Sequence, residues 1–247
     1  MSTIGKTIVP MLYDSVENMR FDELLRRAIA HHNIAVVSLK AENFVDQFEV
    51  LQRMLSYSEA EKAKSFSLEN LRFTYLVHRA MLRVLIAKII MRAPEDITIA
   101  EAANGKPFLS DQRLHFNMSH SSSTALYAFT LDSEVGIDME IDDNQIAIDS
   151  LIPWCFSPDE EKEVQALNKH AQRHAFFKLW TKKESLSKCC GQGLRLDFSE
   201  INLGLRPEPN TIKFCNSIIT VFDISTSYYH AALSVRGFQI PPHSPKD

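Results

Sequence analysis

Apolar residues recur along the chain at two spacings, and each spacing predicts a different kind of element. Spacings of three and four predict helices at 21–31, 58–66, 69–91 and 171–189, with another that begins at Pro158. Alternating or β-branched runs predict strands at 34–39, 97–100, 114–118, 124–131, 135–141, 200–205, 211–214, 217–224 and 230–235. Hairpins with helices between them, without regular strand–helix alternation, indicate an α+β fold.

Local signals set several of the predicted helix ends. Ser58, with Glu61 three residues later, predicts a capping box. Ser157 followed by Pro158 predicts a second helix start. Gly191 predicts the end of the helix that begins near residue 171. A polar stretch at 119–123 predicts a turn between two strands.

Composition excludes several classes of protein. The chain has 247 residues and a net charge of −4, so it lacks the basic excess expected of a nucleic-acid-binding protein. Its longest apolar stretch, near residues 84–91, is too short to span a membrane, and its N-terminus does not resemble a signal peptide. The four cysteines show no zinc-binding spacing and are typical of reduced thiols. We therefore expect a cytoplasmic protein without a membrane partner.

The predicted strand at 135–141 carries two acidic side chains on one face. Alternate residues of a strand point the same way, so Asp138 and Glu140 would lie side by side. Paired carboxylates repel each other unless a cation lies between them. Gly136 would let a ligand or another backbone approach closely. The pattern fits a metal site, but taken alone it is more typical of an ordinary half-exposed strand.

The predicted helix near residue 180 has a row of residues spaced four apart. Phe176, Trp180, Glu184 and Lys188 would share one face, aromatic at one end and charged at the other. This pattern fits the wall of an active site, and it also fits a helix that runs into solvent. Lys178, Lys182 and Lys183 on the same helix fit a surface that steers an acidic protein partner, and they also fit an ordinary solvated helix face.

Two further segments suit phosphate binding. Residues 116–121 lead from a strand into a segment that presents Ser119 and His120, and residues 104–107 place Lys106 on a rigid turn. Each segment alone also fits a solvated turn.

The four segments, taken in order, resemble the Sfp-type 4'-phosphopantetheinyl transferases. The matching motifs are Gly105-Lys106-Pro107, Phe116-Asn117-x-Ser119-His120-Ser121, Gly136-Ile137-Asp138-x-Glu140 and Trp180-x-x-Lys183-Glu184-Ser185-x-x-Lys188. Phe156-Ser157-x-x-Glu160 and Gly191-x-Gly193-Leu194 also fit the family's pattern. The resemblance covers residues 34–235, which is most of the chain.

The resemblance implies a monomer of two similar α+β halves, related by a pseudo-two-fold axis, with the active site in the cleft between them. We expect an N-terminal leader at 1–33, a first half at 34–141, a second half at 142–239 and a loose tail at 240–247.

The resemblance also implies an activity, which is the transfer of the 4'-phosphopantetheine arm of coenzyme A to a serine of a carrier protein. Adenosine 3',5'-bisphosphate would be released. The partner would be an acyl, polyketide or peptidyl carrier protein.

The resemblance implies roles for several residues. Asp138, Glu140 and Glu184 would bind Mg²⁺ or Mn²⁺, and Lys188 would stabilise charge on the transferred phosphate. The serine proton would pass to Glu184 or, through a metal-bound water, to Glu160. The residues that would bind coenzyme A are Lys106, Ser119, His120 and, on a looser match, Lys62, Arg72 and Arg79.

Two other interpretations remain open. A non-catalytic relative would hold coenzyme A or a carrier protein without turnover, although Asp138, Glu140, Glu184 and Lys188 are all present. An unrelated metal-dependent phosphohydrolase would use the same carboxylates, but the segment from Trp180 to Lys188 would then have no explanation.

Overall fold

The structure, a computed structural model, describes residues 11–12, 19–32, 34–111, 113–142, 146–206 and 209–238. The chain divides into two compact units. We call residues 10–132 the N-terminal unit and the part that begins at Ser133 the C-terminal unit. In the described ranges, no helix combines the length and the apolar character that crossing a membrane requires.

The N-terminal unit is built around an antiparallel core of three strands. Its elements are β1 Met11–Leu12, α1 Met19–His32, β2 Ile34–Lys40, α2 Phe48–Gln52, α3 Tyr57–Ala63, α4 Glu69–Ile90, β3 Ile99–Glu101, β4 Pro107–Leu109, β5 His115–Ser121 and β6 Thr124–Thr130. Its main sheet has the order β1-β2-β6-β5, and β3 pairs with β4 in a separate hairpin. Buried apolar side chains of α1, α4 and the main sheet form one core.

The C-terminal unit has a four-stranded antiparallel sheet. Its elements are β7 Val135–Glu140, α5 Ile148–Cys155, α6 Pro158–Gln165, α7 Lys169–Cys190, β8 Asn210–Phe214, β9 Ser217–Asp223 and β10 His230–Arg236. The strand order is β7-β10-β9-β8. Helix α7 lies on this sheet, and its hydrophobic contacts include Leu186 and Cys189 against Ile219 and Val221.

Both units repeat one order of elements. Each begins its core with a strand, continues through short helices to a helix of 22 residues, and ends in a hairpin. The last strand of each hairpin pairs antiparallel with the first strand, β6 with β2 and β10 with β7. The α+β class is confirmed, and the expected likeness of the two halves appears in this shared topology.

Gly136 is where α7 comes closest to the sheet. A Cβ atom at this position would overlap the backbone of Ser185 and Cys189, so glycine is required for the approach. The hydroxyl of Ser185 is 2.8 Å from that of Ser234, the β10 residue paired with Gly136. The sequence-based expectation of a close approach at Gly136 is confirmed, and the approaching group is the backbone of α7.

Two helices begin with a capping box, and the sequence predicted the start of only one of them at the right residue. Helix α6 begins as expected, with Ser157 accepting from the backbone N–H of Glu160 and the Glu160 carboxylate accepting from that of Ser157. For α3 the prediction that Ser58 and Glu61 form the capping box was wrong, because Ser56 and Glu59 form it. The segment holds two overlapping Ser-x-x-Glu patterns, and the buried position of Glu59 selects the first.

Other strand predictions need correction. The strand predicted at 200–205 does not form, because backbone groups of this segment bond to buried side chains instead of a neighbouring strand. Residues Ser119 to Ser121 belong to β5 instead of a turn. Helix α5, which contains Pro153, was not predicted from the sequence.

The expected division of the chain into a leader, two halves and a tail stays a prediction. The C-terminal unit includes β7, because this strand hydrogen-bonds to β10 and packs under α7. The leader helix expected at 21–31 is confirmed as α1, whereas most of the rest of the 1–33 leader lies outside the described residues. The tail expected at 240–247 lies outside them too.

Candidate active site

Asp138 and Lys188 form an ion pair between β7 and α7. The Lys188 Nζ atom is 2.6 Å from Oδ1 of Asp138, and the exposed fractions of the two side chains are 28% and 6%. Lys188 lies one turn after Glu184 on α7, so the predicted row of residues does reach the strand that carries the acids. The structure therefore brings Asp138, Glu184 and Lys188 together within one unit.

Glu184 has a raised affinity for protons. Burial raises the pKa of its carboxyl group, the negative charge of Asp138 raises it further, and Lys188 partly opposes both. Two carboxylates this close to each other form a place where a divalent cation would relieve repulsion. A carboxylate with a raised pKa is also a better proton acceptor.

Glu140 has the same side-chain direction as Asp138 but a different setting. It is the last residue of β7, is half-buried, and pairs across the sheet with His230. Within the ranges that the structure describes, no three Asp, Glu, His or Cys side chains form a group able to hold a metal ion. The oxygen donors fit Mg²⁺ in chemistry, and two of them, Asp138 and Glu184, are close to each other.

Glu160 occupies a fully buried position. Its Oε1 accepts from the backbone N–H of Leu203 at 2.8 Å and its Oε2 from that of Ser157 at 2.9 Å. The Nζ atom of Lys183 lies 2.5 Å from Oε2, and neither side chain has exposed surface. Because the carboxylate is enclosed and bonded on both oxygens, the structure does not support its predicted role as a proton acceptor.

The lysines expected to attract a partner are not available to one. Lys183 also donates to the carbonyls of Phe198 and Ile201, and burial lowers its pKa while Glu160 counteracts the shift. Lys182 donates to the carbonyls of residues 204 and 206. Lys178 is 2.6 Å from Asp223. The prediction that these three lysines form an exposed steering surface was wrong.

Trp180 lies on the same helix as a packing residue. Its ring stacks on Phe176 at 6.2 Å between centroids and meets the edge of Phe198 at 6.0 Å. It anchors the turn of α7 that precedes Glu184.

The predicted coenzyme A-binding residues all lie in the N-terminal unit. Lys106 follows Gly105, which has a φ of 80°, in the turn between β3 and β4, and its backbone N–H donates to the Asn104 side chain. Ser119 and His120 are neighbours on β5, so they point to opposite faces, with Ser119 buried and His120 exposed. Their side chains therefore do not converge on one point.

His78 is a neighbour of His120 that the sequence did not single out. The two rings are 5.4 Å apart, and the Nε2 atom of His78 is 3.1 Å from the carbonyl oxygen of Ser123. Burial lowers the pKa of His78 to about 4, with His120 adding to the effect, so His78 is neutral at pH 7. Its position on the apolar face of α4 gave no signal beyond that of a core residue.

The three other candidates for phosphate binding differ in availability. Lys62 and Arg72 are exposed, and the Nζ atom of Lys62 lies 5.8 Å from the centre of the Tyr75 ring. Arg79 is bound to Glu59 at 2.9 Å with 17% of its side chain exposed, so its charge is already balanced within the protein. Lys62 and Arg72 thus remain the more available cations of the three.

Comparison with known proteins assigns both units to one family. Residues 134–239 match the model of the 4'-phosphopantetheinyl transferase superfamily, and residues 42–131 match that of the 4'-phosphopantetheinyl transferase N-terminal domain. The first match begins one residue after the start of the C-terminal unit.

Individual relatives agree with the family models. The 4'-phosphopantetheinyl transferase HetI of Nostoc sp. is 28% identical over 201 residues, which is 79% of this chain and 84% of that protein. The 4'-phosphopantetheinyl transferase Sfp of Bacillus subtilis is 33% identical over 172 residues, 64% of this chain and 75% of that protein. A 4'-phosphopantetheinyl transferase psf-1 of Bacillus pumilus is 30% identical over 175 residues, 70% and 73% of the two chains. The chain therefore belongs to the 4'-phosphopantetheinyl transferase family.

Proposed function

We propose that this protein transfers the 4'-phosphopantetheine arm of coenzyme A to a serine of an acyl, polyketide or peptidyl carrier protein in an Mg²⁺-dependent reaction. Family membership supports the phosphopantetheinyl transfer. The observation that carries the proposal is the cluster of Asp138, Glu184 and Lys188 between β7 and α7, inside the segment that matches the superfamily model.

The reaction would be a phosphoryl transfer. The serine oxygen of the carrier forms a bond to the phosphorus that bears the pantetheine arm, and the bond from that phosphorus to adenosine 3',5'-bisphosphate breaks. Glu184 accepts the serine proton, because burial and Asp138 raise its proton affinity. Lys188 lies beside the acids and stabilises negative charge on the transferred group.

Asp138 and Glu184, with Glu140 at the end of the same strand, are the residues proposed to hold Mg²⁺. The ion would supply positive charge to the pyrophosphate of coenzyme A. Lys188 neutralises Asp138 in the structure, so it would also limit repulsion between the acids before the ion binds. We further propose that the exposed cations Lys62 and Arg72 and the half-buried Lys106, together with Ser119 and His120, contribute to binding coenzyme A.

Intact-mass spectrometry tests the transfer directly. Apo acyl and peptidyl carrier proteins are incubated with this protein, coenzyme A and Mg²⁺, beside a sample that contains a chelator. We expect a metal-dependent gain of roughly 340 Da on at least one carrier, as a phosphoryl transfer requires. Coenzyme A binding without any mass gain would instead identify a non-catalytic relative.

The Glu184→Gln variant tests the role of the cluster. It keeps the size of the side chain and removes its charge, so we expect a folded protein whose transfer rate falls by about 100-fold or more. The exposed Glu200 offers a matched control, since Glu200→Gln should leave the rate unchanged. A wild-type rate in Glu184→Gln would refute the assignment.

Metal binding has a readout that does not depend on activity. Mg²⁺ binds only the folded cluster, so it should raise the Tm of the wild-type protein in a concentration-dependent way. We expect the increase to be lost in Asp138→Asn and kept in Glu200→Gln. An equal increase in all three proteins would show that the ion binds elsewhere.

A further inference from the structure

His78 and His120 are two histidines of the N-terminal unit whose rings are in contact. His78 lies on α4 and His120 near the end of β5, and their ring centroids are 5.4 Å apart with the planes tilted by 41°. The two residues differ in exposure, since only 2% of His78 is accessible to solvent whereas His120 is exposed. His78 is therefore the inner ring of the pair, and His120 is the outer one.

The inner ring is held in place by hydrogen bonds. The Nε2 atom of His78 is 3.1 Å from the carbonyl oxygen of Ser123, which lies in the two-residue turn that joins β5 to β6. The backbone carbonyl of His78 accepts from the hydroxyl of Tyr127, a buried residue of β6, at 3.0 Å. His78 thus connects α4 to the turn and the second strand of the hairpin that carries His120.

The tautomer of His78 follows from its contact with the turn. A carbonyl oxygen can only accept, so Nε2 carries the proton and Nδ1 presents a lone pair. Nδ1 is buried, and it has no hydrogen-bond partner among the residues that the structure describes. A buried acceptor without a donor lowers stability, and an apolar side chain of similar size would avoid this cost. Packing alone therefore does not explain a histidine at this position.

The two rings also differ in their ability to carry charge. Burial lowers the pKa of His78, and the neighbouring His120 lowers it further, so His78 stays neutral when His120 takes up a proton. The outer ring can then become positively charged without a second charge beside it. A charged imidazole is a strong donor to a phosphate oxygen.

We propose that His78 is a positioning residue, which holds the ring of His120 in the orientation that binds a phosphate group of coenzyme A. The inference rests on the proposed role of His120 in binding coenzyme A. An exposed side chain loses conformational freedom when it binds a ligand, and a fixed ring beneath it reduces this loss because the side chain is already ordered. The hydrogen bond to Ser123 orders the turn after His120 in the same way.

Calorimetric titration of the full-length protein with coenzyme A and Mg²⁺ tests the proposal. His78→Leu removes the ring and the donor but keeps a side chain of similar size, and the Ser123 carbonyl still accepts from the backbone N–H of Ala41 at 2.9 Å. We expect the Kd for coenzyme A to rise about tenfold, as when a hydrogen bond to a charged group is weakened. His78→Phe keeps a ring beneath His120 and should restore part of the affinity.

Thermal unfolding distinguishes positioning from a general effect on the fold. His78→Leu removes a buried acceptor that has no donor, so its Tm should equal or exceed that of the wild type. Val77→Ala is the matched control, because it weakens the packing of the same helix at a fully buried residue. It should lower the Tm and leave the Kd for coenzyme A unchanged.

A double variant shows whether His78 acts through His120. His120→Ala should raise the Kd by about tenfold or more, and adding His78→Leu to it should raise the Kd no further. Additive losses would overturn the proposal, as would a wild-type Kd in His78→Leu or an equal rise in Val77→Ala. A wild-type Kd in His120→Ala would instead refute the proposed role of His120, and the role of His78 with it.

Discussion

The two units place the same kind of buried ion pair in the same position of the shared topology, but only the C-terminal unit has acids on its first strand. In the N-terminal unit, the capping-box residue Glu59 pairs with Arg83 of the long helix at 2.7 Å. In the C-terminal unit, Glu160 pairs with Lys183 of the long helix. The first strands differ, since β2 reads IAVVSLK whereas β7 reads VGIDME.

This difference separates structural from chemical charges. In each pair the carboxylate accepts a hydrogen bond from a capping-box serine, and the cation donates to backbone carbonyls of an irregular segment. Arg83 donates to the carbonyl of Ile97, and Lys183 donates to those of Phe198 and Ile201. The acids on β7 face α7, which lies against that strand at Gly136. We infer that the ion pairs hold the scaffold and that the strand sequence decides which unit carries the reacting groups.

The strongest way to break the comparison is to separate α7 from β7. Gly136→Val would force a branched side chain into the backbone of Ser185 and Cys189, so we expect a loss of more than about 3 kcal/mol in the free energy of unfolding, or no folded C-terminal unit. Both tryptophans, Trp154 and Trp180, belong to this unit, so their fluorescence during urea unfolding reports on it.

Gly237→Ala supplies the control for this substitution. Gly237 has a positive φ, of 72°, unlike Gly136, but an added Cβ would meet nothing within 4 Å. Gly237→Ala should lower the free energy of unfolding by about 1 kcal/mol, which is the cost of placing alanine at a positive φ. Equal losses in the two variants would mean that the α7 contact does not set the requirement for glycine.

The two ion pairs should differ in their response to losing the cation. Lys183→Met leaves Glu160 charged in a fully buried position, which should cost about 3–5 kcal/mol. Arg83→Met should cost less, about 2 kcal/mol, because Glu59 keeps Arg79 at 2.9 Å.

Hydrogen exchange, measured separately on peptides from α4 and α7, would detect the loss of stability in the Arg83→Met and Lys183→Met variants. The double variant Lys183→Met/Glu160→Gln should recover part of the stability lost in Lys183→Met, since no unpaired charge is left buried. A double variant as unstable as the single one would contradict this explanation.

Much of this comparison could be predicted from the sequence. The helix near residue 180, the strand with Asp138 and Glu140, and the helix start at Ser157 were all predicted from local spacing, which a single sequence contains. The burial of Lys183 could not be predicted, because an exposed lysine and a buried one give the same sequence pattern in a helix. Its burial depends on the carbonyls of Phe198 and Ile201, which tertiary contacts alone bring near.

The failed strand at 200–205 has the same origin. Ile201 and Leu203 alternate with polar residues as a strand would, yet Leu203 and Gly204 donate their backbone N–H groups to Glu160. A buried carboxylate more than 40 residues away in sequence therefore competes with strand pairing. Local propensity contains no information about such a partner.

A smaller loss of stability should distinguish the two overlapping Ser-x-x-Glu patterns at the start of α3. Ser56→Ala removes the side chain that accepts from the backbone N–H of Glu59, so it should cost about 1 kcal/mol. Ser157→Ala should cost a similar amount in the C-terminal unit. Ser58→Ala is the matched control and should cost less than about 0.5 kcal/mol, as a surface substitution does. Urea unfolding followed by circular dichroism would measure all three, and a larger loss for Ser58→Ala would restore the original prediction.

The smallest expected change concerns the stability of the cluster itself. Burial and Asp138 raise the pKa of Glu184, so the folded protein binds more protons at this site than the unfolded chain does. The free energy of unfolding must then fall as pH rises from about 4.5 through the folded pKa. Without Mg²⁺, Glu184→Gln should therefore be slightly more stable than the wild type at pH 7, with the difference vanishing below pH 4.5. Urea unfolding of both proteins across this range, followed by tryptophan fluorescence, measures the difference. A variant less stable than the wild type at pH 7 would mean that Glu184 stabilises the fold. A variant that is more stable but has lost transfer activity would show that Glu184 serves the reaction and destabilises the fold.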